Sequence, residues 1–165
     1  MTVKVSYTRK DNTGINAKLR LRKKFISFYE NPKILEVYGS QGLMWKQLYR
    51  FYNVTTYVKG MDVSQFDLID MDAWSNPTQY LNVFLPQINK KTSLIITDNA
   101  MDLKIRGKIP KKFKNVKGLS PGRHLATQYP KIWYKYFHED FIIEDFTHCR
   151  NKASTFYIGM NLTPK

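Results

Sequence analysis

The chain has 165 residues, one cysteine and a formal net charge of +14, from 27 lysines and arginines against 13 acidic residues. This length predicts a single domain over residues 1–165, with residues 1–15 as a flexible arm. A hydrophobic content of 42% and an aromatic content of 15% exclude a disordered chain. The charge favours a polyanionic partner, with nucleic acid as the first choice and an anionic membrane surface as the second.

Several classes of protein are excluded by what the sequence lacks. The lone Cys149 cannot form an internal disulfide, and the three histidines do not have the spacing of a metal finger, so no metal site is predicted. No run of about 20 apolar residues could cross a membrane, and the polar N-terminus is not a signal peptide. A reducing, cytoplasmic location is the resulting expectation.

The first half of the chain predicts a strand and a glycine turn between two helices. Residues 16–29 have helical periodicity and end at Asn31-Pro32. Residues 33–38 (KILEVY) predict a buried strand that runs into the turn Gly39-Ser40-Gln41-Gly42, and a helix is expected from Leu43. This order opens many nucleotide-binding α/β sheets, because the glycines let a ligand approach the backbone.

The next elements alternate again. Residues 54–61 and 66–71 predict two strands, residues 77–88 a helix that begins at Pro77, and residues 92–97 a central strand. Residues 98–122 predict an irregular basic loop. The alternation indicates an α/β fold with a mostly parallel sheet.

The last part of the chain predicts a helix and a hairpin. A helix is expected over residues 122–137 in spite of Pro130, and its aromatic residues are predicted to lie in the core. Residues 141–146 and 154–162 predict two strands joined by a turn, which form a C-terminal antiparallel hairpin.

Four polar or aromatic side chains follow the strand at residues 66–71. Asp70 and Asp72 lie at its end, and Trp74 and Asn76 come directly after them. Ligands of open α/β sheets bind outside the carboxyl ends of the strands, so this group predicts a pocket for a flat, hydrogen-bonding ligand. Two carboxylates so placed can equally cap the next helix or pair with lysines.

Two segments carry a resemblance to a known family. Leu35-Glu36-Val37-Tyr38-Gly39-Ser40-Gln41-Gly42-Leu43 resembles the first motif of the Rossmann-like S-adenosylmethionine-dependent methyltransferases, an acid followed by a glycine turn. Phe66-Asp67-Leu68-Ile69-Asp70-Met71-Asp72-Ala73-Trp74 resembles their fourth motif, and is locally most similar to tRNA guanine-N2 methyltransferases. The glycine turn is thinner than the family pattern. Only 20 residues separate Gly42 from Asp62, so the sheet is expected to be reduced in strands and helices.

The resemblance implies S-adenosylmethionine as cofactor and assigns residues to it. The implied cofactor-binding residues are Glu36, Tyr38, Gly39, Ser40, Gly42 and Asp62. Asp62 has the usual interval for an acid that binds ribose hydroxyls, although it could instead meet the adenine amine.

The resemblance also implies catalytic roles for the strand-end group. Asp72 is the first choice of catalytic carboxylate and Asp70 the second, because a carboxylate that hydrogen-bonds an exocyclic amine returns electron density to its nitrogen. Trp74 could stack on the target base and Asn76 could read its edge. A base within a duplex would have to be extruded to reach this pocket.

Basic residues on both flanks predict contacts to phosphates of RNA or DNA. Those predicted to bind nucleic acid are Arg20, Arg22, Lys23, Lys24, Lys104, Arg106, Lys108, Lys111 and Lys112. The predicted function is therefore methylation of an exocyclic amine on a nucleic-acid base. The alternatives are an inactive nucleic-acid-binding protein on the same scaffold and a methyltransferase for a protein or small molecule. A homodimer or a partner protein could supply substrate recognition.

Overall fold

A mixed β-sheet organises the protein. The computed structural model describes residues 6–7, 14–37, 45, 48, 53–72, 77–99, 109, 111–114, 116–117, 119, 125–150 and 155–165. Within them the strands are β1 (Ser6–Tyr7), β2 (Ile34–Val37), β3 (Val54–Thr56), β4 (Leu68–Met71), β5 (Thr92–Asn99), β6 (Phe141–Arg150) and β7 (Thr155–Pro164). The helices are α1 (Gly14–Ile26), α2 (Thr78–Phe84) and α3 (Leu125–His138), with 3-10 turns at Leu85–Gln87 and Lys111–Phe113.

The order of the strands defines where a ligand would bind. The described strands form a seven-stranded sheet in the order β1-β6-β7-β5-β4-β2-β3. The strands β3, β2, β4 and β5 are parallel neighbours, whereas β7 is antiparallel to both β5 and β6. From β2 the chain moves outward to β3 and then returns to the other side of β2 to form β4. This reversal is the switch point of a doubly wound sheet, where a crevice opens at the carboxyl ends of the strands.

Helices cover both faces of the sheet because the inner strands β2 and β4 are buried on both sides. On one face, α1 and Trp45 pack on alternate strand residues that include Ile34, Leu68 and Ile95. On the other face, α2 and α3 pack on the residues between them, such as Leu35, Ile69 and Leu94. Since successive strand residues point to opposite faces, Glu36 and Asp70 belong to the α1 face.

Most of the predicted elements are confirmed. The α/β class, the parallel strands, the helix through Pro130 and the C-terminal antiparallel hairpin are all present, with small shifts at their ends. The aromatic core predicted in α3 is confirmed as well, since Tyr129, Trp133 and Phe137 are buried. Trp45 and Leu48 are helical as expected, and the rest of the helix predicted from Leu43 lies outside the described residues.

Two expectations about elements need correction. The predicted arm contains a short strand, because Ser6 and Tyr7 pair in parallel with Thr147 and His148 of β6. A segment of two residues is too short to show the alternation of apolar and polar side chains that predicts a strand. Strand β3 also ends at Thr56 and not at Met61, since the chain leaves the sheet edge after three residues.

Within the described ranges, no helix is both long enough and apolar enough to cross a lipid bilayer.

Candidate functional site

Glu36 and Asp70 lie side by side at the switch point. They are directly opposite each other in the register of β2 and β4, and both are buried. Asp72 follows two residues later and therefore points to the same face, the one that α1 covers. Glu36, Asp70 and Asp72 therefore lie together at one end of the sheet.

A buried ion pair fixes Asp70. The Arg22 guanidinium donates to Asp70 Oδ2 from Nε at 2.7 Å, with Nη2 at 2.6 Å from the same oxygen. The indole of Trp45 donates to that oxygen at 2.8 Å, and its ring lies 5.6 Å from the guanidinium carbon. Burial raises the pKa of the Asp70 carboxyl above the usual range for aspartate, and Arg22 opposes the rise. With its Oδ2 bonded to two donors, Asp70 is suited to holding the site together and not to contacting a substrate.

Asp72 is the carboxylate that faces outward. The Asp72 side chain is 14% exposed to solvent, whereas the Asp70 side chain is not exposed at all. The ammonium of Lys18 lies 2.6 Å from both oxygens of Asp72, and Nη2 of Arg22 lies 3.7 Å from Oδ2. Helix α1 thus supplies a cation to each carboxylate at the end of β4.

The position of Arg22 removes it from the residues predicted to bind nucleic acid. It was grouped with its basic neighbours on sequence, but its side chain is buried and paired with Asp70, so it cannot contact a phosphate backbone. Arg20 and Lys23 are exposed, and Lys24 is half-buried with its ammonium 2.5 Å from the hydroxyl of Thr147. Arg22 lies one helical turn after Lys18, on the face of α1 that packs on the sheet. The helical periodicity of Leu21 and Phe25 is the signal that could have revealed its burial.

Asp62 does not join the other acids. The following residue, Val63, donates its N–H to Gln87 Oε1 at 2.9 Å, and Gln87 stands just before β5. Asp67 N–H bonds to the carbonyl of Lys33, just before β2. Asp62 therefore lies toward the amino ends of the strands, where its exposed side chain accepts the N–H of Ser64 at 2.9 Å. The predicted ribose contact is wrong for this residue, since the short connection from β3 to β4 has already crossed the sheet.

A pocket of about 370 Å³ opens on the other face of the same edge. Val37 at the end of β2 forms one wall, and its neighbour in the register of β4 is Met71, the residue before Asp72. The remaining lining residues come from the segment after β3 and from α2: Tyr57, Lys59, Gln79, Tyr80 and Val83. The Tyr57 and Tyr80 rings meet edge to face, with centroids 5.8 Å apart.

Sequence reasoning missed this pocket and Trp45. The pocket residues come from three parts of the chain, β2, the segment after β3 and α2, which meet only when the chain folds. A buried tryptophan needs a partner for its N–H, but the sequence alone does not indicate that Trp45 is buried or that Asp70 is its partner.

Most of the remaining predicted site residues lie outside the part of the chain that the structure describes. Lys111 is exposed in the second 3-10 turn, and the side chain of Lys112 is not among those described. The following lie outside the described residues: Tyr38, Gly39, Ser40, Gly42, Trp74, Asn76, Lys104, Arg106 and Lys108. Their assigned roles stay predictions.

Comparison of the chain with protein families, with curated proteins and with solved structures gave no match.

Proposed function

We propose that the protein is an S-adenosylmethionine-dependent methyltransferase that acts on an exocyclic amine of a nucleic-acid base. The observation that supports this best is the pairing of an aromatic pocket with an outward-facing carboxylate across one switch point. Open α/β sheets bind their ligands at this place. The resemblance of both motifs to the methyltransferase family points to the same edge.

The pocket residues suit the adenosine part of the cofactor. Tyr57 and Tyr80 offer aromatic surface to a flat ring, and the polar side chain of Gln79 lines the same pocket. The Lys59 ammonium would attract hydroxyl oxygens of a ligand in this pocket and would repel a positively charged group. Tyr57, Lys59 and Gln79 thus take the place that Asp62 was expected to occupy.

The carboxylates on the opposite face suit the reacting end. S-adenosylmethionine supplies a methyl group already activated by a positive sulfonium. Three acidic side chains, Glu36, Asp70 and Asp72, gather on this side of the edge beside Lys18 and Arg22, and their oxygens would favour a positively charged group. In the proposal Asp72 hydrogen-bonds the target amine, and Asp70 positions Asp72 through Arg22.

Calorimetry tests the cofactor. We expect S-adenosylmethionine to bind in the micromolar range and to raise the melting temperature. Tyr80→Ala should weaken binding by about tenfold, the usual worth of an aromatic contact. The absence of both heat and thermal shift at millimolar ligand would contradict the proposal.

Transfer of a tritiated methyl group to pooled RNA and DNA tests the reaction. Asp72→Asn should abolish methyl transfer while nucleic-acid binding is retained. Asp67→Asn is the matched control, because Asp67 stands at the opposite end of the same strand. Full activity of the Asp72→Asn protein would show that another group orients the amine.

One observation favours a second function, that of a non-catalytic nucleic-acid-binding protein. Both oxygens of Asp72 lie within 2.6 Å of the Lys18 ammonium, which leaves this carboxylate neutralised. Under this alternative, nucleic acid binds with a steep dependence on salt and S-adenosylmethionine produces no heat. The calorimetric experiment separates the two functions.

A further inference from the structure

The Lys18–Asp72 pair lies where the basic helix meets the candidate site. Lys18 belongs to α1, the helix that presents Arg20 and Lys23 to solvent, and its ammonium lies 2.6 Å from each oxygen of Asp72. Its side chain keeps 20% of its exposure, whereas Arg22 one turn further along keeps 1%. Lys18 therefore stands between the buried carboxylate cluster and the surface on which a polyanion would lie.

This pairing affects what Asp72 can do. A carboxylate draws density toward a neutral amine by accepting its hydrogen, and a nearby ammonium competes for the same lone pairs with a full positive charge. An Asp72 oxygen paired with the Lys18 ammonium can still accept a second donor, as Asp70 Oδ2 does, but it then shares its negative charge with that cation. For Asp72 to act on a base with its full charge, the ammonium must leave.

Of the two cations beside Asp72, Lys18 is the one that can leave. The Arg22 guanidinium is bonded to Asp70 and lies against the Trp45 ring. Lysine has a compact, strongly hydrated charge on a flexible stem, and partly exposed lysine–aspartate pairs contribute little to stability. A phosphate that arrives along α1 would compete directly for this ammonium.

We propose that Lys18 determines specificity for polyanionic substrates: its ammonium occupies Asp72 in the free protein and moves to a phosphate of the bound strand. Asp72 is then available to a base only when that base belongs to a nucleic-acid chain, and a free nucleoside meets a neutralised carboxylate. The role in discrimination rests on the proposed function, but the exchange of Lys18 between two anions does not require catalysis.

The protein contains a matched control at the other end of β4. Asp67 precedes this strand and pairs with Lys90, whose ammonium lies 2.6 Å from Oδ1. Both are lysine–aspartate pairs beside β4, but Asp67 and Lys90 lie at its amino end, whereas Lys18 and Asp72 lie at its carboxyl end. General screening by an added polyanion would weaken both pairs.

Double-mutant cycles measure the exchange. The variants are Lys18→Met, Asp72→Asn and their combination, with Lys90→Met, Asp67→Asn and their combination as the control set. Unfolding is followed with and without a 20-nucleotide single-stranded RNA, and with a DNA of the same sequence in a parallel arm. We expect the oligonucleotide to abolish the coupling of Lys18 with Asp72 and to leave that of Lys90 with Asp67 unchanged.

Two results would overturn the proposal: equal loss of both couplings, or retention of the first. If a variant does not fold, the unmodified protein still decides the matter. Its Asp72 side-chain carboxyl ¹³C resonance should shift on addition of the oligonucleotide while that of Asp67 stays in place, and an unmoved Asp72 resonance would refute the exchange.

Methyl transfer tests the discrimination separately. Lys18→Met should raise transfer to a free nucleoside by up to about fivefold, because a partly exposed ion pair shifts an equilibrium by no more than about this factor. The same variant should lower transfer to the oligonucleotide. Unchanged relative use of the two substrates would refute the specificity role. If no substrate is methylated while the coupling is still lost, then the proposed function fails and the exchange stands.

Discussion

At the scale of single residues, the Arg22–Asp70 pair decides how the site is built. Two charges with no exposed surface are costly to bury, and removal of one leaves the other uncompensated. We predict that Arg22→Met destabilises the protein by about 3–5 kcal/mol. The double variant Arg22→Met/Asp70→Leu should recover a large part of this loss.

Urea unfolding of the two single variants and the double variant measures this coupling. Lys23→Met, an exposed position on the same helix, is the control and should lie within about 0.5 kcal/mol of the unmodified protein. Additive losses in the double variant would mean that Arg22 and Asp70 do not depend on each other.

Cys149 gives a second residue-scale prediction. Burial raises the pKa of this thiol from 9.0 to about 11. At a pH below both values, this rise lowers the fraction of the thiol present as thiolate about a hundredfold. Reaction with a thiol reagent at pH 8 should be slower by at least that factor in the native protein than in urea. A native rate equal to the unfolded rate would show that the thiol is accessible.

The same shift has a consequence for stability. The folded pKa of Cys149 lies above the unfolded value, so its contribution is fully present below pH 9 and is lost as the pH rises through about 11. The melting temperature should therefore fall over this interval, and Cys149→Ala should make the fall shallower.

At the scale of elements, the docking of α1 depends on a close approach to β7. A methyl group added to Gly159 would overlap the ring of Phe25, lying 2.7 Å from Cδ2. Phe25 is fully buried and cannot swing into solvent. We predict that Gly159→Ala costs at least about 1–3 kcal/mol of unfolding free energy, and that Phe25→Leu in the same chain recovers part of it.

Gly60 provides the contrast for this measurement. Its φ of +89° disfavours a side chain, while the space around its Cβ is open. Gly60→Ala should cost about 1–2 kcal/mol from the backbone alone, and Phe25→Leu should leave that cost unchanged. Rescue of both variants by Phe25→Leu would mean that the overlap at Gly159 is not specific.

Patterns within one element were predictable, and pairings between distant elements were not. The apolar runs that became β2, β4 and β5 are read directly from period and composition. The contact between Arg22 and Asp70 joins residues 48 positions apart, and the run of basic residues around Arg22 led to its grouping with exposed neighbours. The same limit hid the pocket, whose walls come from β2, the segment after β3 and α2.

At the scale of the whole molecule, the sheet topology explains both the success and the failure at the site. Parallel neighbours bring their carboxyl ends to one edge, so Glu36, Asp70 and Asp72 could be grouped from sequence. Asp62 could not be placed by spacing, because 11 residues separate β3 from β4 and the chain crosses from one edge to the other within them. Spacing along a chain locates a residue only if the path between strands is known.

The net charge of +14 predicts how the whole molecule binds nucleic acid. Each phosphate contact releases counterions, so affinity for a single strand should fall with salt at a slope of about −0.7 per contact on logarithmic axes. Arg20 and Lys23 are exposed on α1, and the double variant Arg20→Gln/Lys23→Gln should reduce the slope by about 1.4. Fluorescence anisotropy of a labelled oligonucleotide between 50 and 300 mM salt measures this slope. The double variant Lys90→Gln/Lys91→Gln removes two exposed charges at the amino edge and serves as the charge-matched control. An equal change of slope in that variant would mean that the charge acts through its total and not through α1.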